Sequence, residues 1–106
     1  MQGYHLKFYV QEQRRHGGVL AYEWLLEEAK KLGLHGGSAF RAIAGFGRHG
    51  RMHEQHFFEL AGDLPVEVEF AVTEEEARRL LDHLALEDLQ LFYLKVPLEM
   101  GVTGRS

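Results

Sequence analysis

An α+β fold with the element order β-α-β-β-α-β is predicted by three observations on this 106-residue chain. Four stretches alternate or run apolar in the manner of strands, two carry apolar residues every three or four positions, and turn and capping residues separate them in one order. Tyr4, Leu6, Phe8 and Val10 alternate with His5, Lys7 and Tyr9, which predicts a half-buried strand over 4 to 11. Val19, Tyr22, Leu25, Leu26, Ala29 and Leu32 are spaced for a helix over about 18 to 33, and Gly33 supplies its stop. Phe40, Ala42, Ala44 and Phe46 alternate as a second strand, and Val66, Val68, Phe70 and Val72 alternate with Glu67 and Glu69 as a third. Thr73 with Glu76 three residues on is a capping box that opens a helix over 74 to 85, with Ala77, Leu80, Leu81 and Leu84 on one face. "LQLFYLKV" makes a fourth strand ended by Pro97, and the tail 97 to 106 is expected to be poorly ordered unless a partner holds it.

This order is the split βαβ arrangement of ferredoxin-like folds. Right-handed crossovers place both helices on one face of an antiparallel sheet ordered 4-1-3-2, and the other face stays uncovered. The alternation expected for each strand assigns Lys7, Tyr9, Arg41, Ile43, Glu67, Glu69, Tyr93 and Lys95 to that open face. There the two glutamates would lie between Lys7 and Arg41, where opposite charges on neighbouring strands contribute about 0.2 to 1 kcal/mol each. Matched charges among tyrosines and an isoleucine suit a surface that associates with copies of itself, since ion pairs fix register more than they add affinity. A solvated sheet face is the other reading.

Composition bounds the rest. With 45% hydrophobic residues the chain suits one domain over 1 to 106, its core about 4 to 96. There is no cysteine, hence no disulfide framework and no thiol nucleophile, which fits a reducing cytoplasm. No apolar run approaches a membrane span or a secretory leader. The net charge of −4 and a pI near 5.9 argue against binding to a nucleic-acid backbone.

Against that acidic background the stretch "RAIAGFGRHGRMHEQHFF", 41 to 58, is conspicuous for its glycines, arginines and histidines. Gly45, Gly47 and Gly50 let backbone approach a ligand, and Arg48 and Arg51 offer planar donors suited to phosphate or carboxylate. A second basic run, "QRRHGG", sets Arg14, Arg15 and His16 ahead of helix one, where free amides and the helix dipole favour an anion. Exposed arginines and turn-forming glycines are equally the make-up of an ordinary solvated loop. His49, His53 and His56 have a spacing that suits zinc or nickel on one side of a helical turn, but Gly50 weakens such a turn and no further ligand is fixed, so no metal site is assigned. The same three histidines also suit pH sensing.

The segments "HGGVLAYEWLLEEAKKLGLHGGSAFRAIAGFGRHGRMH" and "DLPVEVEFAVTEEEARRLL" resemble the small PII-like family known as domain of unknown function one hundred and ninety. The resemblance runs from Leu6 to about Val96. It rests on His16-Gly17, Gly33-Leu34 with Gly36, Arg41, Gly45-Phe46-Gly47 and Asp63-Leu64-Pro65. It implies a homotrimer with sheets facing inward, small effectors in clefts between subunits, and a loop between strands two and three that meets a partner such as a transporter or enzyme. The candidate ligand-binding residues are therefore Arg14, Arg15, His16, Arg41, Gly45, Phe46, Gly47, Arg48, His49 and Arg51.

Departures from the PII pattern narrow the ligand. PII proteins that bind ATP hold its phosphates with a loop of glycine and lysine between helix two and strand four. Here that segment is "LALEDLQL", with Glu87 and Asp88 and neither residue type. Carboxylates repel a triphosphate, so an adenine nucleotide of the monophosphate type, or another small anion, is the expected effector. No tyrosine lies between Gly47 and Asp63, so nucleotide transfer to the loop is not expected. The only aliphatic hydroxyls are those of Ser38, Thr73, Thr103 and Ser106, and no nucleophile motif surrounds them, which disfavours an enzyme. A trimer without a ligand remains the alternative. Trp24 and Leu20 lie off the helix-one stripe, one of them a candidate contact residue, while His35 and His83 are expected at the surface and His5 on the open sheet face.

Overall fold

The alternation of β1 (Gln2–Gln11) and β5 (Pro65–Val72) decides the architecture, because these antiparallel strands form the middle of a four-stranded sheet. The structure is a computed structural model and describes residues 1–45 and 64–104. β4 (Ser38–Arg41) flanks β5 and β6 (Phe92–Glu99) flanks β1, so the order β4-β5-β1-β6 is the expected 4-1-3-2. Leu6 faces Phe70, Phe8 faces Val68 and Val10 faces Val66, and all six are at most 3% exposed. Phe8 meets Phe70 edge-on at 6.1 Å. Two helices cover this side: α1 (Ala21–Lys31) buries Ala21, Leu25 and Ala29, and α2 (Glu74–Leu86) buries Ala77, Leu80 and Leu84.

Both helices end by the same device. In α1 the Gly33 amide donates to the Lys30 carbonyl and the Leu34 amide to Ala29, with Gly33 at φ +92°, the left-handed stop that glycine adopts freely. In α2 Asp88 takes that role at φ 54°, its amide donating to Ala85 and that of Leu89 to Leu84. Leu34 and Leu89 then fall back into the core, 8% and 7% exposed. At the front of α2 the expected capping box is formed: Glu76 donates its amide to the Thr73 hydroxyl at 3.2 Å and accepts the Thr73 amide at 2.8 Å.

Several expectations are corrected. Helix one does not begin at 18. A hairpin of β2 (Arg15–His16) and β3 (Val19–Leu20) precedes it, closed by Gly17 and Gly18 at φ 60° and 84°. Two consecutive positive φ angles are what a two-residue hairpin turn of matching twist requires, and Gly-Gly supplies them. Strand two lies earlier than 40 to 46, and its register is inverted: Phe40 pairs with Glu67, and Arg41 pairs with Val66 on the helix side. Ile43 lies beyond the strand, 97% exposed. Strand four is also inverted, since Tyr93 pairs with Phe8 and Lys95 with Leu6. It continues through Pro97 to Glu99, as an edge strand permits where a middle strand would not.

The open face is consequently more apolar than expected. Phe40, Leu94 and Val96 stand 53%, 39% and 49% exposed on it, with Leu98 and the Tyr9–Phe92 ring pair beside them. Lys7, Tyr9, Glu67 and Glu69 are there as expected; Arg41, Ile43, Tyr93 and Lys95 are not.

Gly37 lies where a side chain would strike the core. A Cβ there would sit 2.5 Å from Phe70 Cε1 and 3.1 Å from Leu26 Cδ2, whereas one on Gly36 meets nothing within 4 Å. Gly37→Ala should cost about 1 to 3 kcal/mol and lower the melting temperature by roughly 4 °C or more, while Gly36→Ala should not. Equal melting curves for the two variants would contradict this packing.

Candidate functional site

The β2–β3 hairpin and the turn after α2 bring together side chains far apart in sequence. The Arg14 guanidinium donates to the Gln90 carbonyl at 2.8 Å, and the Arg14 carbonyl accepts the amide of Ala21, the first residue of α1, at 2.8 Å. That bond takes up the first of the helix's terminal amides, and no side chain caps the N-terminus of α1. Arg15 turns back on the hairpin and donates to the Gly18 carbonyl at 3.3 Å. His16 meets Glu87 at 3.2 Å and sets its ring edge-on against Trp24, 4.4 Å between centroids.

Trp24 also meets His83, whose ring lies parallel to the indole at 5.9 Å and 9°. His83 in turn meets Glu28 at 2.8 Å, and Lys31 meets the other oxygen of Glu28 at 3.2 Å. The hydrogen bond from His83 first, and then Lys31, hold the Glu28 carboxyl below its usual range. His83 is thus partly buried and bonded, not a plain surface residue, whereas the side chain of His35 is 92% exposed, as expected. The His16–Trp24–His83 stack escapes a sequence reading because its members sit on a hairpin and two helices, and histidine off an apolar stripe gives no periodic signal.

Arg41 belongs to a second cluster. From the helix side of β4 it bonds Glu12, just past the end of β1, with Nε at 3.0 Å and Nη2 also engaged. The glutamate raises the guanidinium pKa further, and Tyr22 in the first turn of α1 adds to the effect. Next along β1, the buried Oε1 of Gln11 has no hydrogen-bond partner among the described residues. Gly45 follows Ala42, whose amide bonds the Pro65 carbonyl at 2.9 Å. Phe46, Gly47, Arg48, His49 and Arg51 lie outside the described residues, as do His53 and His56. Among the described residues no three acidic or imidazole side chains group to hold a metal ion, and no helix is long and apolar enough to cross a membrane.

On the opposite side of the sheet, the open face carries a chain of charges, Glu67–Lys7–Glu69–His5, with contacts of 3.2, 3.9 and 3.1 Å. The hydrogen bond to Glu67 raises the Lys7 pKa. Each side chain is only 25% to 34% exposed before anything covers the face. A hollow of about 360 Å³ beside it is lined by His5, Ser38, Phe40, Glu69, Ala71 and Leu98.

This is the fold of PII-like signalling proteins. A protein described as PII-like and signalling from Thermus thermophilus superimposes with a TM-score of 0.61 at 18% identity, over 92% of this chain and 87% of that one. CPII, a nitrogen regulatory PII-like protein from Thiomonas intermedia bound to ADP, AMP and bicarbonate, does so with a TM-score of 0.62 at 16% identity, over 95% and 97%. The chain belongs to the DUF190 family, described as an uncharacterized ACR, whose model matches residues 3–87. A UPF0166 protein of Aquifex aeolicus is 36% identical over 97 residues, covering 84% of this chain and 92% of the relative. Another, from Methanocaldococcus jannaschii, is 33% identical over 79 residues, covering 74% and 72%.

The Glu28 contacts make stability depend on acid. A carboxyl held low in the fold adds stability above its ordinary 4.5 and loses it as pH falls through the folded value. Glu28→Gln should lower the urea midpoint at neutral pH and flatten its decline below pH 4.5, relative to the unmodified chain. Parallel declines for the two proteins would show that the His83 and Lys31 contacts contribute nothing.

Proposed function

We propose that this chain is a regulatory protein of the PII-like kind, in which residues 1 to 106 act as one domain. In this reading three copies face their open sheets inward, a small anionic effector binds in the clefts between them, and the stretch from Gly45 to Arg51 answers to a partner protein. The observation that carries the assembly is the open face itself. Phe40, Leu94 and Val96 are exposed around charged side chains that already contact one another, Lys7 between Glu67 and Glu69 and His5 against Glu69. Fully burying such side chains is worth about 1.5 to 3 kcal/mol each, and pre-paired charges lower the cost of drying the face.

An adenine nucleotide is the favoured effector, supported by the fold shared with the nucleotide-bound CPII over nearly the whole chain. Arg14 and His16 stand just ahead of α1, and Arg41 meets Glu12 in the second cluster. A phosphate there replaces one anion by another: Arg41 would exchange Glu12 for it, and His16 would exchange Glu87. Glu87 and Asp88 at the same turn favour a monophosphate over a triphosphate. No nucleophile stands near these groups among the described residues, and the reading assigns no turnover. The same internal pairs favour a second reading, an assembly without a ligand, because Arg41 and His16 each already meet a carboxylate.

Calorimetry with AMP, ADP, ATP and bicarbonate decides between them. The account predicts that AMP binds more tightly than ATP, and that Arg48→Ala with Arg51→Ala weakens it by about 1.5 to 3 kcal/mol for each charge-assisted bond lost. No heat with any of the four would leave the ligand-free assembly standing, and an affinity unmoved by the double replacement would take Arg48 and Arg51 out of the site.

A further inference from the structure

The side of the molecule opposite the open sheet carries an unexplained feature. Along the outer side of α1, Val19, Trp24 and Leu26 floor a groove of about 530 Å³, edged by Glu23, Glu27, Glu28 and Lys31. Val19 is 44% exposed, high for a valine in a strand. The edge charges are unequal in kind. Glu28 is compensated by His83 at 2.8 Å and by Lys31 at 3.2 Å, so Lys31 is also engaged. Glu23 and Glu27 have no hydrogen-bond or ion-pair partner among the described residues. They lie four residues apart on one helix, a spacing at which like charges repel and destabilise the helix.

We propose that this groove docks a basic, amphipathic segment of a partner protein, with apolar side chains over Val19, Trp24 and Leu26 and lysine or arginine against Glu23 and Glu27. Charge complementarity selects this occupant, since an acidic or neutral segment would leave the two carboxylates uncompensated over a desolvated floor. The volume holds a few large side chains, the scale on which an amphipathic helix seats its anchors in a groove. The groove lies on the helix side of the sheet, so covering the open face by copies of the chain leaves it free. Docking here requires no nucleotide.

The one tryptophan of the chain reports the test. The full-length protein is titrated with a tryptophan-free peptide of lysine and leucine in helical spacing, and with the glutamate and leucine counterpart. The lysine peptide should shift Trp24 emission to shorter wavelength and saturate, and the glutamate peptide should not. Glu23→Gln with Glu27→Gln should weaken the lysine peptide about tenfold, the size expected of two exposed ion pairs, while Glu75→Gln with Glu99→Gln, an equal change of charge elsewhere, should leave it unaltered. An unmoved emission would overturn the proposal, and so would equal weakening by both double variants, which marks general attraction to an acidic protein. Light scattering without peptide closes the other route: if Glu23→Gln with Glu27→Gln alters the mass of the assembly, the occupant is a second copy of this chain and the proposal fails.

Discussion

The pairing of β1 with β5 is the constraint on which everything else hangs. With Leu6 opposite Phe70 and Phe8 opposite Val68, one side of the sheet is closed by two helices, and the other receives Lys7, Glu67, Glu69 and His5. A slip of one residue would turn over the strand that moves and bring its charged pair, His5 and Lys7 of β1 or Glu67 and Glu69 of β5, under α1 and α2, so the register is strongly specified. The same pairing makes the second face distinctive, because Lys7 bridges Glu67 and Glu69 in the middle while Phe40, Leu94 and Val96 surround them.

How far the sequence reveals this depends on how long each pattern is. β1 and β5 alternate over enough positions to fix both their type and their inward faces, and α2 announces itself through Thr73 and Glu76. β4 has only four residues, Ser38–Arg41, and the alanines that follow mimic its alternation, so the pattern puts Phe40 and Arg41 on the wrong sides. β6 is nearly continuously apolar, so periodicity does not tell which side Tyr93 and Lys95 take; pairing with β1 decides it. Lys95 then reaches across the helix side to Glu74 at 2.9 Å and lies over the Tyr4 ring at 4.3 Å.

The candidate site is legible in its residue types and not in its contacts. Arg14, His16 and Arg41 stand out as basic residue types near glycines, yet their partners Gln90, Glu87 and Glu12 are set by the closing of the sheet and the turn after α2. Those pairs matter for the chemistry. An anion entering beside Arg41 or His16 competes with a carboxylate already in place, so selectivity depends on the difference between two acceptors rather than on bare positive charge. The contacts of Trp24 with His16 and His83 likewise fasten the hairpin, α1 and α2 into one unit.

The central claim is that the open sheet face is an assembly face, and sedimentation of the unmodified protein at micromolar concentration tests it most directly. The account predicts a single species of three times the 12.2 kDa mass of one chain, reduced to a folded monomer by Val96→Glu in the middle of the apolar rim. A folded species of 12.2 kDa for the unmodified chain would contradict it and would make that face a solvated surface.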